Sequence, residues 1–215
     1  VWEINKYAVT FDSDGKTEVV EVEYGKTVAK PADPTKEGYT FVAWYLDGKE
    51  YDFSAPVTKD ITLVAKFTVN GYNVKFVVDG ETVSEGKVNY GDEIAVPADP
   101  SKTGYTFSGW NPEVPETMPA KDMTFVATWT ANKYTISFDT DGGSDVASIT
   151  QDYGSEIIAP ENPTKEGHTF KGWNPALPAT MPAENMTVKA VWEINKYAVT
   201  FDSDGKTEVV EVEYG

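Results

Sequence analysis

Cysteine is absent from these 215 residues, which excludes disulfides, thiolate nucleophiles and thiolate metal sites together. If the protein is secreted, its folding needs no oxidant. Histidine occurs once, at His168. A catalytic base there would need a nucleophile or an orienting carboxylate nearby, and no motif supplies either. Basic residues are scarce: 18 Lys+Arg stand against 35 Asp+Glu, a formal charge of −17. Phosphate backbones are bound mainly by cationic side chains, so a nucleic-acid partner is not expected. An anionic membrane surface is disfavoured for the same reason, while solubility and repulsion between chains are favoured. No apolar run approaches the roughly 20 residues of a membrane helix, so no membrane insertion is expected of this segment. No signal peptide opens it, which says nothing about export if residue 1 lies inside a longer parent.

What is present is repetition, the feature to look for first. PADPTKEGYTFVAW (31–44) returns as PADPSKTGYTFSGW (97–110) and PENPTKEGHTFKGW (160–173). ITLVAKF (61–67) returns as MTFVATW (123–129) and MTVKAVW (186–192). NKYAVTF (5–11) returns as NGYNVKF (70–76), NKYTISF (132–138) and NKYAVTF (195–201). These fix the organisation as the end of a preceding repeat (1–4), three complete repeats (5–69, 70–131, 132–194) and a partial one (195–215) that copies 5–25. A diverged period of about 63 residues is nested in one of 190, the latter identical over all 25 residues where it can be checked. That points to a recent duplication of a three-repeat block or a deliberate repetition. The expectation is a window on a long array.

Each repeat reads as β-rich. Tyr7, Val9 and Phe11 alternate with Ala8 and Thr10, the period of a half-buried strand. Asp14-Gly15 is a hairpin turn signal, followed by a Val/Glu-rich strand reaching Tyr24-Gly25. Glu18, Glu21 and Glu23 read as its wet face, with Val20 and Val22 inward, and their charge blunts edge pairing. The prolines and closing glycine of 31–38 leave room for a turn or two of helix at most, with Asp33 or Thr35 as caps. A third strand starts at Tyr39, and a last one carries Ile61, Leu63, Ala65 and Phe67 on one face. Between them, 45–60 holds an extra short strand at Tyr51–Phe53. The counterparts 111–122 and 174–185 carry three prolines each, which excludes a regular interior strand. This loop is where the repeats could differ in what they touch. Four residues separate Phe67 from Tyr72, too few for a flexible tether, so the repeats are expected to stack end to end as a rod. A β unit of this size has a small core alone, and neighbours are expected to supply part of its stability.

The Y-x-V-x-F strand, the D-x-D-G turn at 12–15, the Y-G pair, the P-x-D-P-T-K-E-G-Y-T-F-x-x-W stretch and the final A-x-W or A-x-F together resemble the Listeria–Bacteroides repeat family, the internalin B-repeat type. The resemblance covers essentially the whole sequence. It implies small β-grasp (ubiquitin-like, mainly β with minor α) units on secreted or surface-anchored bacterial proteins, used as stalks within adhesin-like chains. Repeat 2 departs at its first turn, with Val77-Val78-Asp79-Gly80, and repeat 1 ends in Phe67 instead of Trp. The family carries no common catalytic residue.

Candidate sites are few, and each has a plainer reading. Asp12 and Asp14, with Asp139 and Asp141, faintly resemble calcium loops. Six or more oxygens are needed, Lys16 stands where another ligand would be wanted, and repeat 2 lacks the first carboxylate; hairpin turns account for them. Trp44, Trp110 and Trp173 recur at one position and Trp129 and Trp192 at another, as stacking platforms for glycans or, more simply, as core. Tyr45, unique to repeat 1, is the better candidate for an exposed ring in ligand contact. His168 replaces Tyr39 and Tyr105 as a tolerated substitution. Facing carboxylates for glycoside hydrolysis need a cleft that such small units hardly provide. Lys36, Lys102 and Lys165 could in principle form isopeptide bonds, but they fall in a turn expected to be wet. No catalytic residue and no cofactor are expected, and the protein is not expected to be an enzyme. The expected role is a structural stalk, its partners being neighbouring repeats of the same or identical chains. The alternatives are a module binding a host protein or glycan through the variable loops, and a filament subunit completed by neighbouring chains.

Overall fold

The alternating segments become strands, and the D-G pairs set their turns. The computed structural model describes residues 2–215. In repeat 1, β1 (Lys6–Ser13) and β2 (Lys16–Glu23) form a hairpin, followed by β3 (Tyr39–Leu46), β4 (Lys49–Glu50) and β5 (Ile61–Val69). Repeat 2 contains β6 (Gly71–Val78), β7 (Glu81–Asn89), β8 (Tyr105–Asn111) and β9 (Met123–Ala131). Repeat 3 contains β10 (Lys133–Asp139), β11 (Ile149–Asp152), β12 (His168–Asn174) and β13 (Met186–Ile194). A last hairpin, β14 (Lys196–Ser203) and β15 (Lys206–Glu213), follows. Asp14 and Gly15 adopt φ of 56° and 83°, and Asp79 and Gly80 adopt 49° and 90°. Positive φ at both central residues matches the right-handed twist of the flanking strands.

The sheets run β2-β1-β5-β3-β4, β7-β6-β9-β8 and β11-β10-β13-β12. In each repeat the first strand lies parallel to the last, as Phe11 opposite Leu63, Phe76 opposite Phe125 and Phe138 opposite Val188 show. This mixed sheet is the β-grasp arrangement. No helix occurs among the described residues. Pro31–Gly38, which had room for a short helix, is irregular because its prolines withhold N–H donors from any helical ladder. The architecture is therefore mainly β, without the minor α component.

Three local readings change. The short extra strand is Lys49–Glu50, not Tyr51–Phe53: Asp47 and Gly48, with φ of 49° and 81°, turn the chain earlier. Tyr51 and Phe53 instead pack on the core, Phe53 stacking against Phe11. Glu18 lies opposite Phe11 and shares the face of Val20 and Val22, reaching solvent because β2 is an edge strand. In repeat 3 the D-T-D-G-G segment opens a wide connection, residues 140–148, instead of a two-residue turn.

The F-x-x-W spacing needed a further device. In a regular strand, residues three apart face opposite sides. A bulge between Phe41 and Ala43, and its counterpart between Phe170 and Gly172, shifts the register by one. Phe41 and Trp44 thereby share the core side, their rings 5.7 Å apart, and Phe170 and Trp173 lie 5.1 Å apart. Gly172 takes φ of 131° at this bulge, a region closed to most side chains.

Each repeat has its own core. Val9, Phe11, Val22, Val28, Trp44, Val57 and Leu63 are buried in repeat 1. Met118 and Met181 take the place of Val57 in repeats 2 and 3. They pin the variable loop: Met118 donates to Asp92 O and accepts from Gly91, as Val57 does with Lys26 and Gly25. Asp60, Asp122 and Asn185 end these loops by accepting the N–H groups of Ala8, Asn73 and Thr135. By compactness the chain divides into two units. One holds residues up to Ala98 with Trp110–Ala127, and the other holds Asp99–Gly109 with Thr128–Gly215. The division falls within β8 and β9 of repeat 2.

Candidate functional site: the junction between repeats

The most elaborately built feature outside the cores lies where one repeat passes to the next. A single residue separates β5 from β6, and the same holds for β9 and β10 and for β13 and β14. Those residues are Asn70, Asn132 and Asn195. Each asparagine donates its backbone N–H to the glycine carbonyl that precedes the third strand of the repeat just completed: Gly38, Gly104 and Gly167, at 2.8, 2.9 and 2.8 Å. Its side-chain Oδ1 accepts from Thr40, Thr106 or Thr169, at 2.6 Å in all three. Its backbone carbonyl accepts from the N–H of Tyr90, Tyr153 or Tyr214, the tyrosine of the following Y-G pair. The asparagine thus satisfies three groups from two repeats, two through its backbone and the threonine hydroxyl through its side chain, the last of which an apolar residue could not do.

The tyrosine ring completes the arrangement. Tyr90 lies over Gly38, Tyr153 over Gly104 and Tyr214 over Gly167, so closely that a Cβ on any of these glycines would overlap the ring. The three glycines are buried and have φ of 75°, 80° and 70°. Both the close approach and the left-handed backbone require glycine. Tyr90 meets Tyr39 edge to face at 5.9 Å, and Tyr153 meets Tyr105 at 5.5 Å, geometries that aromatic quadrupoles favour. At the third junction His168 replaces that ring. There the Tyr214 hydroxyl donates to Glu166 Oε1 at 2.6 Å, and this bond to a carboxylate holds the phenol above its ordinary pKa.

These residues were not singled out from the sequence, although the signal was present. The Y-G pair and the K-E-G or K-T-G triplet recur in step, and each repeat begins with Asn. What the sequence could not show is that the tyrosine of one repeat belongs with the glycine of the repeat before it.

The residues that were singled out lie elsewhere. Asp12 accepts the Gly15 N–H at 2.8 Å, and Asp139 accepts that of Asp141 at 3.0 Å, as turn carboxylates do. Asp14 pairs with Lys36 at 3.0 Å, and Asp141 pairs with Lys189 at 2.7 Å. Among the described residues no group of three or more His, Asp or Glu side chains is placed to hold a metal ion. Lys36, Lys102 and Lys165 are not in a wet turn. Lys36 sits over the rings of Tyr39 and Phe67, Lys102 over Tyr105 and Trp129, and Lys165 over Trp192. Cation–π attraction holds them there. Trp44 is core, as expected, and Trp110 and Trp173 pack against the cores of their repeats. Trp129 and Trp192 are half-buried at the far end of the last strand. Trp192 Nε1 donates to Thr140 O in the wide loop of repeat 3. His168 has Nδ1 2.8 Å from Glu166 O. Tyr45 is half-buried, not an open ring, with Lys66 Nζ 4.8 Å from its centroid.

The ion pair at the wide loop makes its pH response specific. Hydrogen bonding and charge from Lys189 hold the Asp141 carboxyl below the ordinary aspartate pKa, and Asp141 correspondingly raises Lys189. A depressed acid contributes stability above its unfolded pKa and loses it as pH falls through the folded one. Below about pH 4, where aspartates protonate, the loop over Trp192 loosens. The Nε1–H resonance of Trp192 followed in an acid titration reads this directly; a resonance unmoved between pH 6 and 3 contradicts it.

The junctions are spaced by the same sequence unit that a family model recognises. The Listeria-Bacteroides repeat domain matches residues 7–66, 72–128 and 134–191. The chain belongs to this family. A protein of Evansella cellulosilytica, by name a Gly-rich membrane protein, is 39% identical over 235 residues, covering 99% of this chain and 27% of its own length. A second from the same organism, by name a membrane protein, is 37% identical over 226 residues, covering 94% and 34%. Internalin H of Listeria monocytogenes is 38% identical over 140 residues, covering 59% and 25%. The chain thus spans between 25% and 34% of the length of these relatives. Its three Listeria-Bacteroides repeats are a tandem segment of the kind such proteins contain. No helix among the described residues is long and apolar enough to cross a membrane.

Proposed function

We propose that these repeats act as a non-catalytic spacer in a bacterial cell-surface protein, holding other parts of that protein away from the surface. The observation that carries this is the junction. One-residue connectors, a bridging asparagine and a ring seated on glycine recur three times, which is an investment in the connection between repeats, not in a cleft. The high acidic charge keeps such chains soluble and mutually repelling. The partners of each repeat are then its neighbours in the chain.

The reading is tested by displaying a reporter domain on a bacterial surface through this segment. Accessibility of the reporter to a bulky antibody is expected to fall when any one repeat is deleted in register, whichever it is. Dependence on one particular repeat counts against a spacer.

That second outcome would favour a binding module, which one observation supports. Only repeat 1 has the β3–β4 hairpin, and with it an open cavity of about 610 Å³ lined by Tyr45, Asp47, Thr62, Val64 and Lys66. Saturable binding to host cells or to a glycan array, lost in Tyr45→Ala, would establish it.

A further inference from the structure

The sequence period and the physical unit need not coincide, and the junctions indicate that they do not. Tyr90 and Asn70 belong to repeat 2 by sequence. Yet the Tyr90 ring covers Gly38 and meets Tyr39 of repeat 1, outside the core cluster of either repeat. Asn70 ties Gly38 and Thr40 of repeat 1 to the Tyr90 backbone. The arrangement recurs with Tyr153, Asn132, Gly104 and Thr106, and with Tyr214, Asn195, Gly167 and Thr169.

We infer that the end of each repeat, formed by its buried glycine and the threonine two residues on, is a docking surface for the tyrosine-bearing first hairpin of the next repeat. The stabilising unit is accordingly offset from the sequence repeat: each repeat is completed by the first hairpin of the following one, while β6 of the hairpin that completes repeat 1 remains a central strand of its own sheet. This deepens the spacer reading and rests on it only for its biological use.

Three observations support the offset. First, the four groups that make the contact, Gly, Thr, Asn and Tyr, are present at all three junctions. Their neighbours vary without disturbing it, since Glu37, Thr103 and Glu166 precede the glycine, and Tyr39, Tyr105 and His168 follow it. Second, the division of the chain into compact units leaves these junctions whole, Gly38 with Tyr90 and Gly104 with Tyr153, while keeping β6 and β7 with Trp110–Ala127 of their own repeat. Third, the same contact recurs at the third junction, where Tyr214 covers Gly167 and Asn195 accepts from Thr169. The contact couples each hairpin to the body that precedes it, and the coupling is reciprocal.

Site-resolved hydrogen exchange on the 215-residue chain tests this, whatever the array spaces. In Tyr90→Ala, the core amides of repeat 1, Val9 and Leu63, are expected to lose at least tenfold in protection. Those of repeat 3, Ile136 and Val188, should be unchanged, and Tyr90→Phe should keep wild-type protection. Thr40→Val, at an exposed position, removes only the hydroxyl bonded to Asn70 and should weaken repeat 1 in the same direction; it decides the matter if Tyr90→Ala does not fold. Loss of protection in repeat 1, with or without loss in repeat 2, supports the offset unit. Loss confined to repeat 2, or no loss, overturns it. Neither result bears on whether the array is a spacer, which the display experiment reads separately.

Discussion

Replacing Phe11 by alanine destabilises repeat 1 by about 3–5 kcal/mol, the usual cost of removing a fully packed core phenylalanine, whereas Phe201→Ala costs less than about 0.5 kcal/mol, as an exposed substitution does. The two residues occupy the same place in identical 25-residue segments. Phe11 is 3% exposed, stacks with Phe53 and meets Trp44 edge to face at 5.0 Å. Phe201 is 57% exposed, since among the described residues β14 pairs with β15 alone. Local sequence and hairpin geometry are the same in both, down to the Asp-Gly turn. The difference between the variants thus isolates what tertiary packing adds to an unchanged strand. Exchange at the Val9 and Val199 amides reads the two sites in one molecule. Equal losses would show that the hairpin, not the sheet around it, sets the value of the ring.

The second large effect falls at a glycine. Gly38→Ala is expected to cost roughly 2–4 kcal/mol, and Gly25→Ala only about 1–2 kcal/mol. Both sit at nearly the same positive φ, 75° and 78°. That conformation alone costs a residue bearing a Cβ about 1–2 kcal/mol. At Gly25 the added methyl meets nothing, while at Gly38 it would overlap the Tyr90 ring. The ring must leave, and with it goes the partial burial of a large aromatic side chain, worth about 1–2 kcal/mol of the roughly 1.5–3 kcal/mol that full burial gives. Urea unfolding of the two variants separates backbone strain from the loss of the junction. Similar losses would mean that the ring yields its place at little cost.

Much of this architecture was legible in the residues. Alternation in Y-x-V-x-F and I-x-L-x-A-x-F marks strands whether or not their partners are known, and D-G pairs mark turns because few other residues accept positive φ twice in succession. Repetition supplied the boundaries that a single copy would have left vague. Other features depended on pairing. The parallel contact of β1 with β5 joins segments about fifty residues apart, and nothing local encodes it. The F-x-x-W spacing contradicts a regular strand, and only the bulge reconciles it with a shared core face. Lys36, Lys102 and Lys165 looked wet because a turn is usually wet. Some of the rings that cover them, Phe67, Trp129 and Trp192, come from the last strand, far along the sequence. Tyr45 looked open for the converse reason, since Lys66 reaches it from β5. The junction was hidden in plain view: its parts repeat, but the repeats had to be placed side by side before Tyr90 could be assigned to Gly38.

The account stands on that assignment, and a double-mutant cycle on Gly38 and Tyr90 tests it most directly. If the ring is what the new methyl displaces, Gly38→Ala in a Tyr90→Ala background should cost no more than Gly25→Ala does, about 1–2 kcal/mol of backbone strain. If the two losses simply add, the glycine and the tyrosine act independently, and the junction is not built as described.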